Sequence, residues 1–172
     1  MEPTLRLGEQ AFANMQAYDV SPPVRGDIVV LILPRDSSTL YLKRIVGLPG
    51  EKVQMKNGIL HVDGQAVPTE DTGDYKVSTQ KQPEQTGRLK RETLPNGASY
   101  TTLDLTDNGF YDNTPVYQVP SGNYFVLGDN RDNSTDSRVL NQVGYIPRAN
   151  VIGRISLIYW SSDLSRIGTV PQ

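Results

Sequence analysis

Apolar positions along this chain fall in short runs separated by turn residues, and none keeps a helical spacing for more than a few turns. Asp27-Ile-Val-Val-Leu-Ile-Leu33 is apolar after its first residue and bounded by Arg25-Gly26 and Pro34, which suits a strand buried on both faces. Leu40-Tyr-Leu-Lys-Arg-Ile-Val46 follows after a turn-rich Pro34-Arg-Asp-Ser-Ser38, so the two runs are expected to pair as a hairpin. Val53-Gln-Met-Lys56 and Gly58-Ile-Leu-His-Val62 meet at Asn57-Gly58, a pair that supplies the positive φ angles of a tight hairpin turn. Asp63-Gly64 repeats that signal. Further strands are predicted at Pro115–Pro120, Tyr124–Leu127 and Val151–Trp160. Many short strands with turn signals between them predict a mostly β barrel or sandwich.

Between Pro68 and about Tyr100 the pattern fades into Thr, Gln, Glu, Lys, Asp and Gly. Its sparse aliphatics predict a solvated insertion of short strands or a partly disordered loop without a second core. The division expected is a β core of residues 1–67 and 115–172 with a small polar insertion, 68–114, that does not touch the chemistry.

Composition narrows the chemistry. A chain of 172 residues fits one domain, and a net charge of -2 gives no electrostatic reason to expect nucleic acid. With no cysteine, a thiolate nucleophile, a disulfide framework and a cysteine zinc site are excluded. No cofactor or metal is expected. His61 is the one histidine, in a short strand ahead of a turn, and no motif supports a serine-histidine-aspartate triad built on it. No stretch approaches the roughly 20 apolar residues of a membrane span.

Two segments remain unusual. Lys43 lies inside an apolar run, where strand alternation puts Tyr41, Lys43 and Ile45 on one face and Leu42, Arg44 and Val46 on the other. It is either a solvent-facing strand lysine that discourages aggregation, or a desolvated lysine whose pKa falls from about 10.4 toward the range of a general base. Gly128-Asp-Asn-Arg-Asp-Asn-Ser-Thr-Asp-Ser-Arg138 is a block of short polar side chains after an apolar strand. A calcium loop fails there, because Arg131 falls on a ligand position, Ser134 where glycine is needed and Leu140 where a glutamate should be. A long hydrophilic turn and a cross-bonded loop that supports a reactive group elsewhere both remain.

Met1-Glu-Pro-Thr-Leu5, Arg25-Gly-Asp-Ile-Val-Val30, Tyr41-Leu-Lys-Arg-Ile-Val-Gly-Leu-Pro-Gly50 and Gly128-Asp-Asn-Arg-Asp-Asn-Ser134 resemble the successive boxes of bacterial type I signal peptidases, in the family's order. The resemblance implies a signal-peptidase-like β-barrel or coiled-sheet fold. It also implies a serine-lysine endopeptidase that removes signal peptides, with Ala-x-Ala type sites, from exported preproteins at the outer face of the cytoplasmic membrane. Lys43 matches the family's general base and Ser134 the hydroxyl that orients it. Arg44, Asp129, Asp136 and Arg138 match charged positions that brace the site. Met1, Leu5, Tyr41 and Leu42 match or flank the shallow pockets for small residues, and the preprotein is expected to add as an extended strand. In the family the nucleophilic serine stands directly before the methionine that is residue 1 here. The chain therefore reads as a catalytic domain truncated just after its nucleophile, without the membrane anchor and expected to be inactive by itself, while membrane lipid remains an expected partner. The alternative is a non-catalytic β module that binds extended peptides. A self-cleaving repressor of the same clan would need a DNA-binding domain, for which neither length nor charge speaks.

Overall fold

A computed structural model describes residues 1–79 and 82–172. The architecture is mostly β, as the run pattern predicts, and among the described residues helical structure is limited to 3-10 turns at Arg148–Asn150 and Leu164–Arg166. A six-stranded antiparallel sheet has the order β1 (Gln10–Asn14), β13 (Val151–Trp160), β2 (Ile28–Leu33), β3 (Asp36–Gly47), β11 (Asn123–Leu127) and β12 (Ile146–Pro147). A smaller sheet runs β10 (Tyr117–Gln118), β4 (Lys52–Lys56), β5 (Ile59–Val62) and β6 (Gln65–Ala66). The third comprises β7 (Thr69–Thr79), β8 (Gln82–Thr93) and β9 (Ser99–Asp104).

Strand alternation explains the continuous apolar runs. On β2, Val29, Leu31 and Leu33 join one core cluster with Ile45 and Val126, while Ile28 and Val30 turn to another with Ile155 and Leu42. On β11, Tyr124 and Val126 face the first of these, and Phe125 and Leu127 face a third core shared with the small sheet. Both sides of β2 and β11 are thus covered, so neither strand needs polar positions. The β4–β5 hairpin turns at Asn57 and Gly58 with φ of 48° and 74°, the geometry the Asn-Gly pair predicts.

Three expectations are corrected. The β2–β3 turn is tighter than Pro34–Ser38, since β3 already begins at Asp36. β1, which the apolar pattern does not announce, edges the large sheet by pairing with β13. The polar segment after Pro68 forms long strands of 11 and 12 residues rather than short ones. Cross-strand pairs of opposite charge, Glu70 with Arg91, Asp71 with Lys90 and Asp74 with Arg88, line the ribbon. Its root is no separate body: Leu94 and Tyr100 enter the core cluster of β11, and the backbone of Leu103 bonds to Asp129 and Arg131.

Candidate active site

The hairpin register sets Lys43 opposite Val29 and Arg44 opposite Ile28. Alternation sends Lys43 to one side of β3 and Arg44 to the other, and both are removed from bulk water to different degrees. Arg44 is buried, with Nε and Nη2 on the Asp129 carboxylate at 2.9 and 2.8 Å, Nη1 on the carbonyl of Gly26, and its guanidinium 4.0 Å from the Tyr100 ring centroid. Asp129 also accepts the Thr4 hydroxyl at 2.5 Å. The first and last boxes are thereby locked together.

Lys43 is half-buried. Burial pulls its ammonium below the usual lysine value, the negative charges of Asp136 and Asp129 partly oppose that, and Arg138 adds to the lowering. The Met1 amino nitrogen is likewise lowered by burial, raised by Asp129 and lowered by Lys43. Lys43 and Met1 therefore share one partly desolvated space.

The polar loop is cross-bonded. Arg138 clamps Asp136 through Nε and Nη2, both at 2.8 Å, and Asp136 accepts the backbone N–H of Gly128. Ser137 ties the loop to β11 by exchanging bonds with Val126. Ser134 Oγ is sealed from solvent and hydrogen-bonded to no protein atom among the described residues, Lys43 included. Its hydroxyl is packed on the Cα of Gly128, where a Cβ would overlap it, so the expected lysine contact is not made here.

Met1, Leu5 and Leu42 line one cleft of about 500 Å³ with Ala11 and Ile155, and Asn130 and Asn133 add amides from the polar loop. Tyr41 is not among the residues lining it. It packs on the cluster of Ile45 and Val29 and points its hydroxyl toward Asp36 at 3.4 Å, because alternation puts it opposite Leu42. On its other side β3 pairs with β11 from Arg44 to Gly47, and no described strand covers that side between Leu40 and Lys43.

Sequence reasoning missed Thr4, Ser137, Arg131 and Glu92 as bracing groups. Arg131 binds the buried Glu92 of β8 in bidentate fashion at 2.7 Å, whereas the sequence suggested bonds within its own loop. Glu9 was missed too. It accepts from Arg166 Nε and Nη2, Ser161 Oγ and the Arg6 N–H, and so clamps the first box to the last 3-10 turn. Burial alone would raise this carboxyl, but the Arg166 bond and its companions hold it down from 4.5 to about 2. A depressed carboxyl stabilises the fold above its unfolded value, and that contribution is lost as pH falls from 4.5 through about 2. Glu9→Gln is expected to cost about 3 kcal/mol at neutral pH, with the deficit vanishing near pH 2, in urea titrations at both pH values.

Among the described residues no group of three or more His, Asp or Glu side chains converges as a metal site would, and no helix is long and apolar enough to cross a membrane. A mostly β scaffold that sets a half-buried lysine next to Leu42 of a cleft with apolar and polar walls, in front of a lattice of buried arginine–carboxylate pairs, defines the class of site. The family model described as "Signal peptidase, peptidase S26" matches residues 1–160, and the chain belongs to that family. Among curated relatives it is 39% identical over 150 residues to signal peptidase I of Rickettsia typhi, covering 83% of this chain and 54% of the relative. It is 38% identical over 162 residues to that of Rickettsia felis, covering 86% and 58%. The chain spans about half the length of these relatives. A crystal structure of a signal peptidase I from Enterococcus faecalis V583 aligns at 27% identity and a TM-score of 0.47, covering 80% of this chain and 99% of the other.

Proposed function

We propose that this chain is the catalytic core of an endopeptidase that removes amino-terminal signal peptides from exported preproteins by a serine-lysine mechanism. The observation that carries the reading is geometric: Met1 lines the same cleft as Leu42 and packs on the same cluster, which sets the position ahead of Met1 near Lys43, the next residue of β3. A serine joined ahead of Met1 starts beside Lys43, whose charged form burial disfavours. Neutral Lys43 accepts the serine proton as the oxygen attacks the scissile carbonyl, then returns it to the departing amine. Lys43 next takes a proton from the water that hydrolyses the acyl-serine. Ser134, whose buried hydroxyl has no partner among the described residues, is assigned the role of holding Lys43 in line.

The preprotein docks as an extended strand on the uncovered side of β3, where backbone groups supply affinity and alternate side chains enter pockets. Met1, Leu5 and Leu42 give the cleft an apolar wall suited to alanine-sized residues. Contact with lipid at the outer face of the cytoplasmic membrane is supported by exposed Phe12 on β1, Met15 just after it, and Tyr159 and Trp160 at the end of β13.

A polypeptide with serine directly ahead of Met1 is expected to cut an Ala-x-Ala signal peptide, and its counterpart with alanine there is not. Equal rates for the two would refute the serine-lysine reading. Cleavage should rise with pH through the Lys43 pKa, because only the neutral amine accepts a proton.

A further inference from the structure

Two buried polar side chains of the ribbon belong to the bracing lattice and yet come from outside the four boxes. Glu92 of β8 takes both Arg131 nitrogens at 2.7 Å and the hydroxyl of Tyr100 of β9 at 2.6 Å. Arg131 belongs to the loop that carries Asp129, Ser134 and Asp136, and its carbonyl accepts Arg138 Nη2 at 2.7 Å. The ring of Tyr100 lies against Arg44, the partner of Asp129. Arg131 binds Glu92, and it is tied to Asp129 through the backbone of Leu103, which donates to the Asp129 carbonyl and accepts the Arg131 N–H.

We infer that Glu92 is a positioning residue for the cleavage reaction: by holding Arg131 on the ribbon side, it leaves Asp129 committed to Arg44 and Thr4 and so sets the surroundings of Lys43. This rests on the signal-peptide reading above. A buried guanidinium deprived of its partner is strongly disfavoured and turns to the next carboxylate. Once Arg131 turns to Asp129, it weakens the bidentate Arg44 pair and offsets part of the negative charge that Asp129 presents to Lys43. The charged groups acting on Lys43 are Asp136, Asp129 and Arg138, the Met1 nitrogen being an uncharged amide in the serine-extended chain. Of these, Asp129 is the one whose field Arg131 modifies directly. The effect on Lys43 has a definite sign, because Asp129 favours its charged form and losing that influence favours the neutral one.

The test compares Glu92→Gln, the double variant Glu92→Gln/Arg131→Gln, and Tyr100→Phe in the serine-extended chain, reading kcat and KM across pH together with thermal melting. Glu92→Gln is expected to lower kcat by roughly ten- to a hundred-fold with KM nearly unchanged, the size of effect a small misplacement of a reacting group produces. The acidic limb of the kcat/KM profile should move to lower pH. The double variant removes the stray charge and should return that limb to its original position and recover most of kcat. Tyr100→Phe, which loses the hydroxyl's bond to Glu92 and the one it accepts from Arg131 Nη2 but keeps the ring against Arg44, should shift the limb slightly in the same direction.

A drop in kcat with the limb unmoved would mark Glu92 as a structural brace only and overturn the inference. So would a double variant no better than the single one. Should Glu92→Gln fail to fold, Tyr100→Phe decides by its limb position: a limb shifted to lower pH supports the inference and an unmoved one overturns it. Full activity of Lys43→Ala would instead remove the serine-lysine reading itself, so the two failures are distinguishable.

Discussion

Replacing Lys43 by alanine in a chain with serine ahead of Met1 is expected to lower kcat/KM by roughly 10³- to 10⁴-fold, near the upper range for loss of a general base. The lysine makes no ion pair in the described structure, and its carboxylate neighbours Asp129 and Asp136 are already engaged by Arg44 and Arg138. Its function is therefore to lose a proton, not to brace. Lys43→Arg should be as inactive as the alanine variant, because a guanidinium does not deprotonate in proteins. The same desolvation has a cost to stability. A lysine whose folded pKa lies below its unfolded value of 10.5 penalises the fold fully below the folded pKa, and the penalty fades as pH rises toward 10.5. Lys43→Met should accordingly be inactive yet melt about 2–4 °C higher at neutral pH, the shift that ~1 kcal/mol gives a domain of this size. An unchanged or lower melting temperature would argue that the site is wetter than described.

The second large effect is on the lattice. Asp129→Asn keeps the side-chain size and one acceptor oxygen but removes the charge that balances buried Arg44, and its NH2 end can no longer accept from both Arg44 Nη2 and the Thr4 hydroxyl as the second carboxylate oxygen does. Breaking one member of a buried pair typically costs about 3–5 kcal/mol, and this site falls in that range because Arg44 is 3% exposed and Asp129 1%. Arg44→Met in the same chain should restore part of the loss by removing the orphaned charge, giving a double-mutant cycle with strong coupling. Urea unfolding of the three variants measures this directly. A single-variant cost under about 1 kcal/mol would mean the pair contributes little.

How far the sequence reveals this arrangement depends on whether the signal is local. The β2–β3 hairpin and the Asn57-Gly58 turn are legible because the apolar run and the positive-φ pair act within a few residues. The ribbon is opaque to hydrophobic periodicity, since its strands are mostly polar and charged, with Lys90 paired to Asp104 across them, and buried apolar residues such as Val77 and Leu103 are too few to make a pattern. β1 is opaque because four of its five residues are exposed. Within the site, Lys43 stands out among apolar neighbours, and its boxes supply Arg44, Asp129, Asp136 and Arg138. Tyr41 was misplaced for a reason already contained in the pattern: a residue adjacent to Leu42 in a strand faces away from the wall that Leu42 shares with Leu5. Glu92 has no local signature, being one more charge in Lys90-Arg-Glu92 until the fold brings Arg131 to it from 39 residues away.

The central claim is that the fold itself desolvates Lys43, and NMR titration of the chain with lysine labelled at the ε-carbon tests it most directly. The resonance that disappears in Lys43→Met identifies the group among the six lysines. That resonance is expected to titrate below the ordinary lysine value of about 10.4, as burial of the ammonium requires. A Lys43 that titrates at or above that value would contradict the account.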